Sequence, residues 1–243
     1  MATIAVYSLK GGVGKTTLAV NLAWSSAIQS SRRTLLWDLD PQAAATFLLE
    51  QGLGARDRAQ AVFTRDLDAD RLIRPTRFDR LDLLGADASL RDLDLLFHQL
   101  DKKKRLAKLL GQLASDYDRI LLDCPPGLTD TSEQVMRAAD LIVVPVVPSA
   151  LSMRAYDEVA AHLVAKGNKV PLMPVHSMVD GRRRLHADAI QAHPDWPVIP
   201  MASIVEAMAT RRMPLGNYAP RTPAAQAFSR LWQAIERRLT RKR

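Results

Sequence analysis

Short apolar runs alternate with longer amphipathic ones along this chain. The first run covers 3–7 and the second 33–39, where Thr34-Leu35-Leu36-Trp37 is nearly all apolar. Others fall at 81–84, 119–123, 140–146, 169–175 and 198–200. Such runs, without polar alternation, read as strands covered on both faces, as in parallel sheets. Pro171 and Pro174 make the run at 169–175 irregular. Helical spacing of apolar residues predicts helices over 17–28, 89–114, 132–139, 151–165 and 223–243. The longest uses Leu93, Leu96, Leu100, Leu106, Leu109, Leu110 and Leu113, interrupted by Lys102-Lys103-Lys104-Arg105, which reads as a solvated turn or helix face. The fourth places Leu151, Ala155, Val159 and Leu163 on one face. In the last, Phe228, Leu231, Trp232, Ile235 and Leu239 form the apolar stripe opposite a basic side. Residues 51–80 mix Asp, Arg and Gly, and predict a short helix with loops around Pro75. The alternation predicts one doubly wound α/β domain over 1–243, with a mostly parallel sheet flanked by helices.

The most informative stretch joins the first strand to the first helix: Lys10-Gly11-Gly12-Val13-Gly14-Lys15-Thr16-Thr17. Gly11, Gly12 and Gly14 let backbone N–H groups approach phosphate oxygens without a Cβ in the way. The helix opening near Lys15 aims its positive end at the same anion. Lys15 is placed to reach β- and γ-phosphates, Thr16 to ligate Mg²⁺, and Thr17 to approach the α-phosphate. The ordinary phosphate loop has glycine where this chain has Leu9; the second lysine, Lys10, stands in its place as a distinguishing feature.

Two further strand ends carry carboxylates. Asp38 and Asp40, two apart before Pro41-Gln42, point the same way at the carboxyl end of a strand. Arg119-Ile120-Leu121-Leu122 leads to Asp123 and the turn Cys124-Pro125-Pro126-Gly127, a Walker-B-like strand whose Asp123 would hold Mg²⁺ directly or through water. Cys124, the single cysteine, reads as a packed and inert thiol. His98, His162, His176, His186 and His193 show no metal-ligand spacing.

With Lys10, this set of motifs resembles the ParA/MinD superfamily of P-loop NTPases, which includes the nitrogenase iron protein; the similarity to ParA/Soj-type partition ATPases extends from Ile4 to the C-terminal helix. The resemblance implies that Lys10 reaches the partner's ATP across a nucleotide-sandwich homodimer. It implies that Asp40 orients or deprotonates the attacking water and that Asp38 supports the metal shell. Adenine contacts then fall at Pro200 and Ala202. The family glycine after Pro-Gln is replaced by Ala43. Arg182, in Asp180-Gly181-Arg182, matches a family contact to DNA of any sequence, with Arg183 and Arg184 beside it. A second family arginine is missing from Met201-Ala202-Ser203, and Arg211 and Arg212 are candidates to replace it.

Charge distribution supports a polyanionic partner. Residues 182–243 hold 12 of the 34 Lys and Arg but 4 of the 26 Asp and Glu; the rest of the chain balances, so the whole excess of +8 lies there. A single cysteine in 243 residues suits a reducing compartment, and the start of the chain carries no secretory pattern. The expectation is a cytoplasmic, nucleoid-associated ATPase using ATP and Mg²⁺. Its ATP-bound homodimer would bind DNA without sequence preference, partnered by a ParB-like or other cargo adaptor. With the motif starting at residue 10, an N-terminal helix-turn-helix has no room. Three alternatives are weighed: a membrane-positioning ATPase anchored by its last helix, an iron–sulfur reductase, and an ATP-dependent ligase such as dethiobiotin synthetase. The stripe on the last helix suits docking on a sheet better than a membrane. One cysteine cannot supply a shared cluster, and no small-substrate site for a ligase is legible.

Overall fold

The computed structural model describes residues 1–50, 59–64, 68–100 and 104–240. Expectations at Gly52, Gly54, Lys102, Lys103 and 241–243 lie outside them. The strands are β1 (Ala2–Val6), β2 (Thr34–Asp38), β3 (Ile73–Pro75), β4 (Leu81–Leu84), β5 (Arg119–Asp123), β6 (Leu141–Val146), β7 (Leu172–Val179) and β8 (Val198–Pro200). They form one sheet in the order β3-β4-β2-β5-β1-β6-β7-β8. Only the β3–β4 pair is antiparallel among the described residues.

The helices begin with α1 (Lys15–Trp24), α2 (Ala44–Leu49), α3 (Ala61–Thr64), α4 (Leu93–Leu100) and α5 (Arg105–Gln112). They continue with α6 (Asp130–Ala138), α7 (Ala150–Ala165), α8 (Arg184–Ala192), α9 (Ser203–Arg211), α10 (Leu215–Tyr218) and α11 (Pro223–Thr240). Two hydrophobic clusters, one on each face of the sheet, complete a three-layer α/β/α domain. The doubly wound, mostly parallel sheet anticipated from the alternation is therefore present.

Local departures have physical causes. The first helix is not amphipathic: Leu18 through Trp24 are all buried, because α2, α10 and α11 all pack on it. Gly216 of α10 meets it so closely that a Cβ there would fall 2.2 Å from the Trp24 ring. The predicted helix over 89–114 is α4 and α5, preceded by a 3₁₀ turn. Arg105, expected in solvent, is 5% exposed. Its guanidinium donates to the carbonyls of Phe63 and Val62 at 2.9 and 3.0 Å. Leu151, expected on the packed face of α7, is 68% exposed, while Ala155, Val159 and Leu163 are buried. β7 starts later and runs further than its prolines suggested. Pro174 pairs with β6, and β8 joins only from His176 onward, so the missing N–H falls where no second partner waits.

The C-terminal helix is docked. Phe228, Leu231, Trp232, Ile235 and Leu239 are all buried, each such side chain contributing roughly 2 kcal/mol. Trp232 Nε1 donates to Ser30 Oγ at 2.8 Å. The Arg119 guanidinium grips Glu236 through two bonds of 2.7 and 2.9 Å, tying α11 to the start of β5. Among the described residues, no helix is long and apolar enough to cross a membrane.

Candidate functional site

The site lies at the carboxyl ends of β1, β2 and β5, neighbours in the centre of the sheet. After β1 the chain turns through Gly12 (φ 71°) and Gly14 (φ 89°), left-handed positions that glycine takes without strain. Gly14 is the N-cap of α1 and no side chain caps the helix. The first helical bond runs from Leu18 N–H to Gly14 O, which leaves the amides of Lys15, Thr16 and Thr17 for an anion. Val13 is buried, and its carbonyl accepts from Ser177 Oγ on β7 at 2.8 Å, bracing the loop from behind.

Lys15 is buried and folds back over the loop, its Nζ donating to Lys10 O at 3.1 Å. Burial lowers its pKa; Asp123 and Asp40 oppose that shift. The Lys10 ammonium lies 3.4 Å from Ser152 Oγ in the first turn of α7.

Asp38 and Asp123 are register partners on adjacent parallel strands, and both are fully buried. Their surroundings differ. Asp38 accepts from the Thr46 N–H at 2.9 Å, the Thr46 hydroxyl at 2.8 Å and the Asp40 N–H at 3.1 Å. Burial still raises its pKa to about 6. Neither oxygen of Asp123 has a well-formed hydrogen bond. Burial, with Asp38 next, drives its pKa well above the usual range; Thr16 lies near enough to oppose the shift without cancelling it. An orphaned buried carboxylate beside a threonine hydroxyl fits a hydrated divalent cation. No group of three or more His, Cys, Asp or Glu among the described residues could hold a metal alone. Mg²⁺ keeps several waters and takes phosphate oxygens, so it needs few protein ligands. Asp40 is half-buried and accepts from Gln42 N–H at 2.9 Å. Cys124 is buried and its thiol pKa is raised by burial, in keeping with an inert side chain.

Of these groups Lys15, Thr16 and Asp40 line a cavity of about 610 Å³; Lys10, Asp38, Asp123 and Cys124 do not line it. One end holds Gly11, Gly12, Gly14, Lys15, Thr16, Thr17 and Asp40; Pro200 and Ala202 lie at the other. The apolar wall there, Phe47 and Leu48 of α2 with Val205, Met208 and Phe228, had no signal in the sequence. The same holds for Ser177 and for Met178, a non-glycine residue at φ 55°.

The five candidate arginines lie outside this cavity and are not alike. Arg182 is 90% exposed and pairs with Asp180 at 2.9 and 3.0 Å, which holds the Asp180 carboxyl down at about 2. Arg183 and Arg184 are exposed at the start of α8. The Arg211 guanidinium lies 5.0 Å from the Tyr218 ring centre. Arg212 departs from the expectation of a free surface cation: its guanidinium bonds the carbonyls of Phe47 and Glu50, both at 2.8 Å. A residue read as a candidate DNA contact is here recruited to the end of a helix.

A glycine loop with two lysines, set at a helix N-terminus beside a Walker-B carboxylate, defines a P-loop NTPase. An AAA domain family profile matches residues 1–169. The sporulation initiation inhibitor protein Soj of Bacillus subtilis is 30% identical over 241 residues, covering 93% of this chain and 94% of that one. Among solved structures, cell division ATPase MinD of Pyrococcus furiosus superposes with a TM-score of 0.80 at 22% identity, covering 97% of this chain and 98% of that one. Cobyrinic acid a,c-diamide synthase of Mycobacterium smegmatis, solved with an ATP analogue and magnesium, gives 0.82 at 23%, covering 100% and 97%. Those two likenesses establish the shared fold. The chain belongs to the ParA/Soj family of P-loop ATPases.

Proposed function

We propose that this protein is a ParA-like partition or positioning ATPase that binds Mg-ATP in the cavity, pairs as a nucleotide-sandwich dimer and then binds DNA of any sequence. The observation that carries the nucleotide assignment is Asp123: a fully buried carboxylate without a well-formed hydrogen bond, close to Thr16 and Lys15 of the glycine loop, is suited to a hydrated cation. When bound, Mg²⁺ offsets charge on the β- and γ-phosphates. The amides after Gly14 and the Lys15 ammonium hold the phosphates, and Thr16 with Asp123 holds the cation's shell. Asp38 keeps its neighbour's environment fixed through Thr46 and the Asp40 amide. Asp40 orients or deprotonates the attacking water, and Lys10 swings from Ser152 to the partner's phosphates. Pro200 and Ala202 contact the adenine.

Slow hydrolysis separates the dimer and releases the DNA, with a ParB-like or other adaptor coupling the cycle to a plasmid, chromosome or protein cargo. Arg182, Arg183, Arg184 and Arg211 remain the proposed DNA contacts; Arg212 is withdrawn because α2 engages it. The docking of α11 supports this reading over membrane attachment, since its apolar face is already buried. The test combines light scattering with phosphate release, each with ATP, ADP or neither and with or without duplex DNA. ATP-specific doubling of mass and DNA-stimulated release are expected. A monomer under all conditions, or turnover that needs a small carboxylate substrate instead, would overturn the reading.

A further inference from the structure

Arg212 ends α9 in a conformation that arginine seldom takes, φ 49° and ψ 49°. Left-handed backbone is unfavourable for a residue with a Cβ, so its neighbours must hold it there. Arg77, from the turn between β3 and β4, donates to the Arg212 carbonyl at 2.6 Å. The Arg212 side chain crosses to α2. Nε donates to Phe47 O and Nη2 to Glu50 O, both at 2.8 Å, and the guanidinium lies 4.8 Å from the Phe47 ring centre. These carbonyls lie at the C-terminal end of α2, where intrahelical donors run out and the helix is negative. Two N–H groups on one planar cation, stacked on a ring, is a contact lysine cannot reproduce.

The two helices tied in this way are facing walls of the cavity. α2 follows the Asp38–Asp40 loop and contributes Ala44, Phe47 and Leu48; α9 follows Pro200–Ala202 and contributes Val205, Met208 and Ala209. Thr46 anchors the first half of α2 to Asp38. Arg212 fastens its far end. We infer that Arg212 is a positioning residue that sets the spacing between these walls and so the grip on the base and sugar end of the nucleotide. It lines no part of the cavity itself. The inference rests on the nucleotide reading of the cavity. Because the Asp40 end is anchored separately through Thr46, loosening the clasp weakens binding and leaves the chemical step alone.

Arg212→Gly isolates the side chain, since glycine takes this backbone conformation freely. Relieved strain offsets part of the lost bonding, and the melting temperature stays within about 4 °C of wild type. The Kd for ADP by calorimetry and the KM for ATP rise about tenfold, with kcat within about twofold. Arg212→Lys falls between, restoring one bond without the stacking. Amide exchange in apo Arg212→Gly quickens at residues 47–50. Equal ADP affinity in wild type and Arg212→Gly overturns the inference, as does a fall in kcat with KM unchanged. A wild type that binds neither ADP nor ATP overturns the nucleotide reading itself, which keeps the two failures distinct.

Discussion

The phosphate-loop region and the basic last quarter carry charge in opposite ways. In the first, Lys15, Asp38 and Asp123 are buried, the two carboxylates on neighbouring strands and the lysine held by the Lys10 carbonyl. Asp123 is held without a well-formed hydrogen bond, which costs stability locally and suits the cation site proposed above. In the second, Arg182, Arg183 and Arg184 stand in solvent, and the one ion pair of Arg182 is exposed. Such a pair is worth little and can be exchanged for a phosphate at small cost. Buried charge can give selectivity for one ligand geometry; exposed charge can give salt-sensitive attraction to any polyanion.

The largest break in this contrast is Lys15→Ala. Removing the buried cation should lower ATP affinity by about 100-fold or more, and calorimetry at wild-type affinity would refute the role. Asp40→Ala comes next: ATP binding within about threefold of wild type, but turnover reduced by about 100-fold. A phosphate-release rate equal to wild type would move the water-orienting role elsewhere.

Asp123→Asn sharpens the claim of stored strain. A carboxyl whose folded pKa is raised stabilises the fold most below its unfolded value, and that contribution is lost as pH rises through the folded pKa. For Asp38 the window runs from 3.8 to about 6, and Asp123 shifts in the same direction. The apo protein should therefore gain melting temperature on acidification from pH 7 to about 5. At pH 7, Asp123→Asn should raise the apo melting temperature by about 2–6 °C while abolishing its response to Mg-ATP. A lower apo melting temperature would mean that the carboxylate is stabilising after all. The smallest effect concerns Ala43, at φ 53° where the resembled family has glycine. Ala43→Gly should stabilise by about 1 kcal/mol in urea unfolding, and a destabilised variant would contradict a strained backbone there.

The two regions also differed in how readily they could be read. Gly11 through Thr17, Asp38 to Asp40 and Asp123 are contiguous motifs at strand ends, and a parallel sheet brings such ends together. Their juxtaposition was therefore legible. The apolar cavity wall was not, because Phe47, Met208 and Phe228 come from distant helices whose apolar spacing says only that they pack. Arg105 and Arg212 differ from expectation for a related reason. A charged residue in a charged run looks available to solvent or, for Arg212, to DNA, yet each serves backbone carbonyls of another segment. Which carbonyls lack donors depends on where helices stop. The stretch 89–114 shows the same limit: leucine spacing continues past Lys104, which is not helical.

The central claim, that nucleotide in the buried site controls the exposed one, is tested most directly by DNA filter binding across a salt series. Wild type and Arg182→Glu are each titrated with ATP, ADP or neither. The account predicts sequence-independent binding that requires ATP, weakens steeply with salt, and falls about tenfold or more in Arg182→Glu with ATP affinity unchanged. Equal DNA affinity with ATP and without it, or equal affinity for wild type and Arg182→Glu, would contradict it.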